Sequence, residues 1–191
     1  MRICYILMSM QTSILKKIVI TVFILLNLLV CSNGICAKDF TGEVVIYDIS
    51  PIGTSEYKDL GVVDSMGKKM QFATFRTQIL GFDDTEKIYS DPVTFLPIRV
   101  ERNISMWTGK EYLIEEYVPS RGWLIIRKFK DGKEVDRYVF KENKPIQNAI
   151  LLPFSFRRIP NLAIGWSLEV CFPQRFKVKL TSIEEIEVPA G

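Results

Sequence analysis

Apolar and polar residues alternate in short runs along most of the chain, and Gly, Asp, Asn and Pro break the runs. A period of two sends every second side chain to the same face of a strand. Val, Ile, Phe and Tyr, which fit a pleated surface, fill most of the apolar positions. The pattern predicts strands over residues 43–50, 69–80, 86–90, 98–105, 111–118, 123–130, 133–141, 167–172 and 176–188. The connections are short, which favours an antiparallel meander over βαβ units. No repeat, low-complexity tract or linker interrupts the series.

Two turns suggest registers. Asp131-Gly132 suits a type I′ hairpin, because Gly accepts the positive φ that such a turn requires. A two-residue loop there pairs Lys130 with Lys133, and counting outward pairs Arg127 with Asp136, Ile125 with Tyr138 and Trp123 with Phe140. The other face then pairs Leu124 with Val139 and Ile126 with Arg137. A loop at Thr108-Gly109 pairs Ile104 with Leu113, Arg102 with Glu115 and Val100 with Tyr117. The same register opposes Glu101 to Glu116, a conflict that a three-residue loop would relieve.

Residues 145–160, PIQNAILLPFSFRRIP, lack alternation. Asn148 can cap a helix, and Pro153 is tolerated only near a helix start. A short helix or kinked turn is predicted near residues 150–158. Its Leu151, Leu152, Phe154 and Phe156 are too apolar to face water and should pack on the concave side of a sheet. Arg157 beside them has a guanidinium shaped for an anionic headgroup or carboxylate; the other reading of Arg157-Arg158 is charge compensation at a helix end.

The start of the chain follows a different pattern. Before Asp39, the first acid, stand only Arg2, Lys16 and Lys17 as charges. An apolar run, Ile18 to Val30, follows the lysines, and Ser32, Gly34 and Ala37 come next. Basic, apolar and small-residue segments in that order read as a secretory signal peptide. The run falls short of the roughly 20 residues of a spanning helix, which disfavours an uncleaved anchor. Residues 1–37 are therefore taken as a leader and 38–191 as one exported β-rich domain, destined for the periplasm or beyond. Without the leader the 25 basic residues fall to 22, matching the 22 acids. A neutral domain with interleaved signs is unsuited to nucleic acid. Cys171 is then the one cysteine left, and in Leu-Glu-Val-Cys-Phe it reads as a small buried apolar residue.

The chain has no His. That excludes a Ser-His-Asp triad, a His general base and His metal ligands. Asp83-Asp84-x-Glu86 could attract Ca²⁺, but it lacks the spacing of a calcium loop and reads as a polar turn. Glu184, Glu185 and Glu187 read as a solvated strand face. Arg99 and Glu101, two apart on one face, read as an ion pair. The three tryptophans, Trp107, Trp123 and Trp166, read as core or rim. No catalytic site, metal site or cofactor is expected, and the protein is not expected to be an enzyme.

Three passages in order resemble the exported bacterial proteins grouped as domain of unknown function 3108. They are Asp91-Pro92-x-x-Phe95-Leu96-Pro97-x-Arg99-x-Glu101, then Ile150-Leu151-Leu152-Pro153-Phe154-Ser155-Phe156-Arg157 with Pro160 and Ile164-Gly165, and Ile183-Glu184-Glu185-Ile186-x-Val188-Pro189-Ala190-Gly191. The resemblance spans nearly all of the chain after the leader. It implies a mainly β fold, a curved antiparallel sheet forming a roll or half-barrel with one short helix in the concavity. That outline is similar to periplasmic lipoprotein carriers of the LolA type. It implies no known activity. In that family the last passage leads into a further strand, so the domain is expected to be incomplete at its C-terminal end, leaving 182–188 as an unpaired edge.

Two functions follow as expectations. One is a periplasmic binding or carrier module for an apolar, acyl or lipid-like ligand held by Leu151, Leu152, Phe154, Phe156 and Arg157. The other is a structural or protein-interaction module of the cell envelope, its concavity filled by its own side chains and its edges free to recruit a partner. Membrane contact, if present, is peripheral.

Overall fold

The computed structural model describes residues 2–9, 41–159 and 162–185. They are mainly β and form two compact units, one of residues 41–151 and one that combines 2–9 with 152–159 and 162–185.

The larger unit is one curved, unclosed antiparallel sheet of eight strands in chain order. Numbered with a first strand in the smaller unit, they are β2 (Val44–Ile49), β3 (Gly53–Ser65), β4 (Lys68–Ile79), β5 (Phe82–Ser90), β6 (Pro97–Met106), β7 (Gly109–Val118), β8 (Trp123–Lys130) and β9 (Lys133–Lys141). The expected meander and short turns are thus present. A strand the alternation did not predict is β3. Its buried positions include Ser55 and Asp59 beside Tyr57, so a polar inner row concealed the period of two.

One face of the sheet is buried. Across its middle run Ala73, Ile88 and Val100, paired strand to strand, with Tyr57 opposite Phe75 and Tyr117 opposite Leu124. Burying each large apolar side chain contributes about 1.5–3 kcal/mol. The other face carries ion pairs: Arg76–Asp83, Arg99–Glu101, Arg99–Glu116 and Arg127–Glu116. The expected Arg99–Glu101 pair is among them, at 2.8 Å. Such partly exposed pairs add little stability each.

Both hairpin registers differ from expectation. Asp131 and Gly132 have positive φ and Lys130 does face Lys133, as the turn type requires. A bulge between Lys128 and Phe129 then shifts the ladder by one residue. Arg127 faces Arg137 rather than Asp136, Ile125 faces Val139, Leu124 faces Phe140 and Trp123 faces Lys141. The opposed arginines turn to different acids, Arg127 to Glu116 and Arg137 to Glu134. In the other hairpin the tip is Trp107-Thr108, and Met106 faces Gly109. Arg102 therefore faces Leu113, Val100 faces Glu115 and Ile104 faces Glu111, while Glu101 faces Ile114 and escapes Glu116. The two-residue offset keeps every side chain on its face and removes the like-charge pair.

Between β7 and β8 a 3₁₀ turn, Pro119–Arg121, ends at Gly122 with φ 64°. A Cβ there would stand 2.1 Å from the Glu142 carbonyl oxygen, so the backbone needs glycine at this point.

The smaller unit contains β1 (Arg2–Ser9), α1 (Leu152–Phe156), β10 (Ser167–Phe172) and β11 (Gln174–Glu185). The short helix falls inside the predicted range. Pro153 is its second residue, where no intrahelical N–H bond is lost. Asn148 Oδ1 accepts from the N–H groups of Ile150 and Leu151 and so caps the turn leading into it. The sheet order is β1-β11-β10. Over Ser182–Glu185, β11 is therefore not the expected unpaired edge, because Arg2–Tyr5 pair with it antiparallel. The apolar run Ile18 to Val30 and residues 186–191 lie outside the described residues. Cys171 is buried, as its sequence context predicts.

Candidate functional site

Polar side chains cross the buried face of the eight-stranded sheet, where apolar residues would be ordinary. The centre is Arg102 on β6. It faces Glu86 of β5 directly, with Asp84 two residues along the same strand and Glu115 on β7 diagonal to it. Its Nη2 donates to Asp84 Oδ2. Nε lies 3.3 Å from Glu86 Oε1, and Nη1 lies 3.7 Å from Glu115 Oε1. One guanidinium thus serves three buried carboxyl groups.

The chain of contacts extends on one side. The Tyr117 hydroxyl donates to Glu115 Oε2 at 2.6 Å. Further along the buried face, Ser55 and Thr77 share a hydrogen bond of 2.9 Å, and Thr77 is the cross-strand partner of Asp84. Asp59 accepts from the Gly61 N–H at 2.8 Å and from Gln71 Nε2. Asp84 Oδ1 is buried with no hydrogen-bond partner among the described residues.

Electrostatics set the protonation of this group. Burial pushes the Glu86 carboxyl up to about 8; Arg102 opposes the shift, and the charges of Asp84 and Glu115 add to it. At neutral pH Glu86 therefore holds a proton. Burial works against the charge on Arg102, but Glu86, Asp84 and Glu115 together raise its pKa above the ordinary guanidinium value. Tyr117 is raised well above the usual phenol value, by burial first and then by Glu115. The arrangement can hold and release one proton near neutral pH. Among the described residues no group of His, Cys, Asp or Glu has an arrangement that could hold a metal ion.

Sequence reasoning missed this centre. Asp83-Asp84-x-Glu86 is not a turn but the body of β5: Asp83 points outward to Arg76, while Asp84 and Glu86 are buried. The alternation of Asp84 and Glu86 with Asp83 and Thr85 was the available signal. Acids on both faces, Asp83 on one and Asp84 and Glu86 on the other, made it read as solvated. The pairing of Arg102 with Glu115 was expected from a wrong register, yet the two do meet, on a diagonal.

The predicted ligand residues are placed as follows. Leu151, Leu152, Phe154 and Phe156 are buried, with exposures between 1 and 7%. Leu152 and Phe156 join Val170, Phe176 and Val178 in one apolar cluster, against which Ile159, Trp166 and Phe172 pack. The Trp166 ring meets Phe156 edge-on at 5.6 Å between centroids. Arg157 is half-buried and lies over the Phe154 ring at 5.7 Å. Leu151 belongs to the larger unit and the other four to the smaller. Glu187 lies outside the described residues.

Compared with protein families, with curated proteins and with solved structures, the chain matches none. The class it belongs to is thus defined by its fold alone, an unclosed antiparallel β sheet of eight strands.

Proposed function

We propose that the protein is an exported, non-enzymatic envelope protein that acts as a protein-interaction module through the edges of its sheet. The observation that carries this reading is the burial of Leu151, Leu152, Phe154 and Phe156. Leu152 and Phe156 are packed by Val170, Phe176 and Val178, so a bound acyl chain would have to displace the protein's own side chains. The large sheet ends at β2 and β9, each paired on one side only among the described residues. Val44 and Ile46 on β2, and Val135, Tyr138 and Val139 on β9, are exposed. Such edges suit the addition of a partner strand, with main-chain bonds giving affinity and exposed side chains giving selectivity. Export rests on the leader pattern, and membership of the domain of unknown function 3108 family rests on the three passages. No helix among the described residues is long and apolar enough to cross a membrane.

A second reading, a carrier for an acyl or lipid-like ligand, draws support from the half-buried Arg157 against Phe154, a guanidinium beside an apolar segment. Leu152→Asp and Phe154→Asp separate the two. An interaction module needs both positions as core, so either change should abolish the β circular dichroism signal. A carrier should stay folded and lose its ligand. Native mass spectrometry of the exported protein adds an independent check: an acyl mass released on denaturation would refute the interaction reading.

A further inference from the structure

At one end of the large sheet, three successive hairpin tips each present an apolar residue to solvent. Ile52, between β2 and β3, is 52% exposed; Leu80, between β4 and β5, 89%; and Trp107, between β6 and β7, 88%. An antiparallel meander places alternate turns at the same end, so the three lie side by side. They also touch. The Leu80 N–H donates to the Ile52 carbonyl at 3.2 Å. A Cβ built on Gly81 would stand 3.1 Å from Trp107 Cε3, which lays the indole against the middle tip. The tips therefore form one apolar ridge, not three scattered residues. Folding does not call for it, since the β6–β7 ladder closes at Met106 and Gly109 without Trp107.

The charge around the ridge has a sign. Lys110 is the second residue of β7, one past the pair that closes the ladder, and Lys130 and Lys133 flank the next tip at the same end. All three are exposed, and none makes an ion pair among the described residues. Of the acids near the tips, Asp83, Glu111 and Glu134 are engaged by Arg76, Lys128 and Arg137, leaving Asp48 and Asp131 against the three lysines. Basic charge predominates.

We propose that this ridge is a membrane-contact edge. Ile52, Leu80 and Trp107 enter the interfacial zone of a bilayer, and Lys110, Lys130 and Lys133 meet anionic lipid headgroups. Tryptophan, with an apolar ring and one N–H, is the side chain best matched to that zone. Convex tips in a row suit a fluid interface, whereas a protein partner would have to supply a groove for each. The basic flank complements an anionic surface. The inference goes beyond edge pairing and concerns the end of the sheet, not its edge strands.

The test must report on Trp107 itself, because the apolar run Ile18 to Val30 could hold the full chain on a vesicle unaided. The full chain is mixed with phosphatidylethanolamine–phosphatidylglycerol vesicles, plain or brominated on the acyl chains. Subtracting the Trp107→Phe emission from that of the native chain isolates Trp107. On plain vesicles its emission should shift to the blue, and brominated lipid should quench most of it. Leu80→Ser should weaken the quenching, and so should vesicles without phosphatidylglycerol, each by about fivefold or more. Val93→Ser, at an 85% exposed position on the opposite end, should leave it unchanged. Equal Trp107 emission in plain and brominated vesicles would overturn the proposal, as would an equal loss with Val93→Ser. So would an unquenched Trp107 whose photoreactive replacement crosslinks to an envelope protein. The failure of edge pairing would leave all of these outcomes unmoved.

Discussion

Glu86→Gln should make the protein more stable at neutral pH and flatten its pH dependence. The Glu86 carboxyl is pushed up to about 8 in the folded chain, chiefly by burial, against an ordinary value of 4.5. Because the folded value is the higher, its contribution is complete below about pH 4.5 and is lost as pH rises through about 8. Within that window the unfolded chain has released a proton that the folded chain keeps. Stability should fall by about 1.4 kcal/mol per pH unit, several kcal/mol across the window. The background is unusually clean, since the chain contains no His. Asp83, Asp91 and Glu134 are all lowered, so their effects fall at acid pH, and the raised tyrosines act in the alkaline range. Gln keeps the shape and a donor toward the acids around Arg102 but never ionises. Urea unfolding at pH 5, 6, 7 and 8, followed by circular dichroism, gives the slope for both proteins. The native chain should lose stability steadily and the variant should stay nearly level. Equal slopes would refute the reasoning and mean that Glu86 is ionised, or solvated, in the fold.

Arg102→Met should destabilise by about 3 kcal/mol at pH 7, because Asp84, Glu86 and Glu115 lose their shared cation. The estimate is kept at the low end because the guanidinium is 29% exposed. Chemical denaturation should show part of the loss recovered at pH 5, where a buried acid can protonate. Two glycines give a contrast. Gly122→Ala and Gly132→Ala both place a side chain at positive φ, but only at Gly122 does the new Cβ meet backbone, at 2.1 Å from the Glu142 oxygen. Thermal melts should show a loss of about 1 kcal/mol for Gly132→Ala and at least about 3 for Gly122→Ala.

Local chemistry decided much of this protein without help. A period of two, broken by turn residues, located nine of the eleven described strands in the two sheets, because it records which side chains leave water. Pro153 and Asn148 bounded the short helix, since one cannot donate a backbone bond and the other can cap. Asp131-Gly132 required its turn for the same steric reason that places both at positive φ. The registers were another matter. A bulge after Lys128 slips one ladder by a single residue, and the turn pair at Trp107-Thr108 offsets the other by two; the pattern along one strand names neither partner. Strand β3 and the Arg102 centre were illegible for a related reason. Asp84, Glu86, Asp59 and Ser55 look solvated in a linear reading, because burying a polar group is costly until its partners are known. Those partners, Arg102, Gln71 and Thr77, are 12 to 22 residues away along the chain. Only the sheet brings them within reach, and only the sheet lines up Ile52, Leu80 and Trp107 on one ridge.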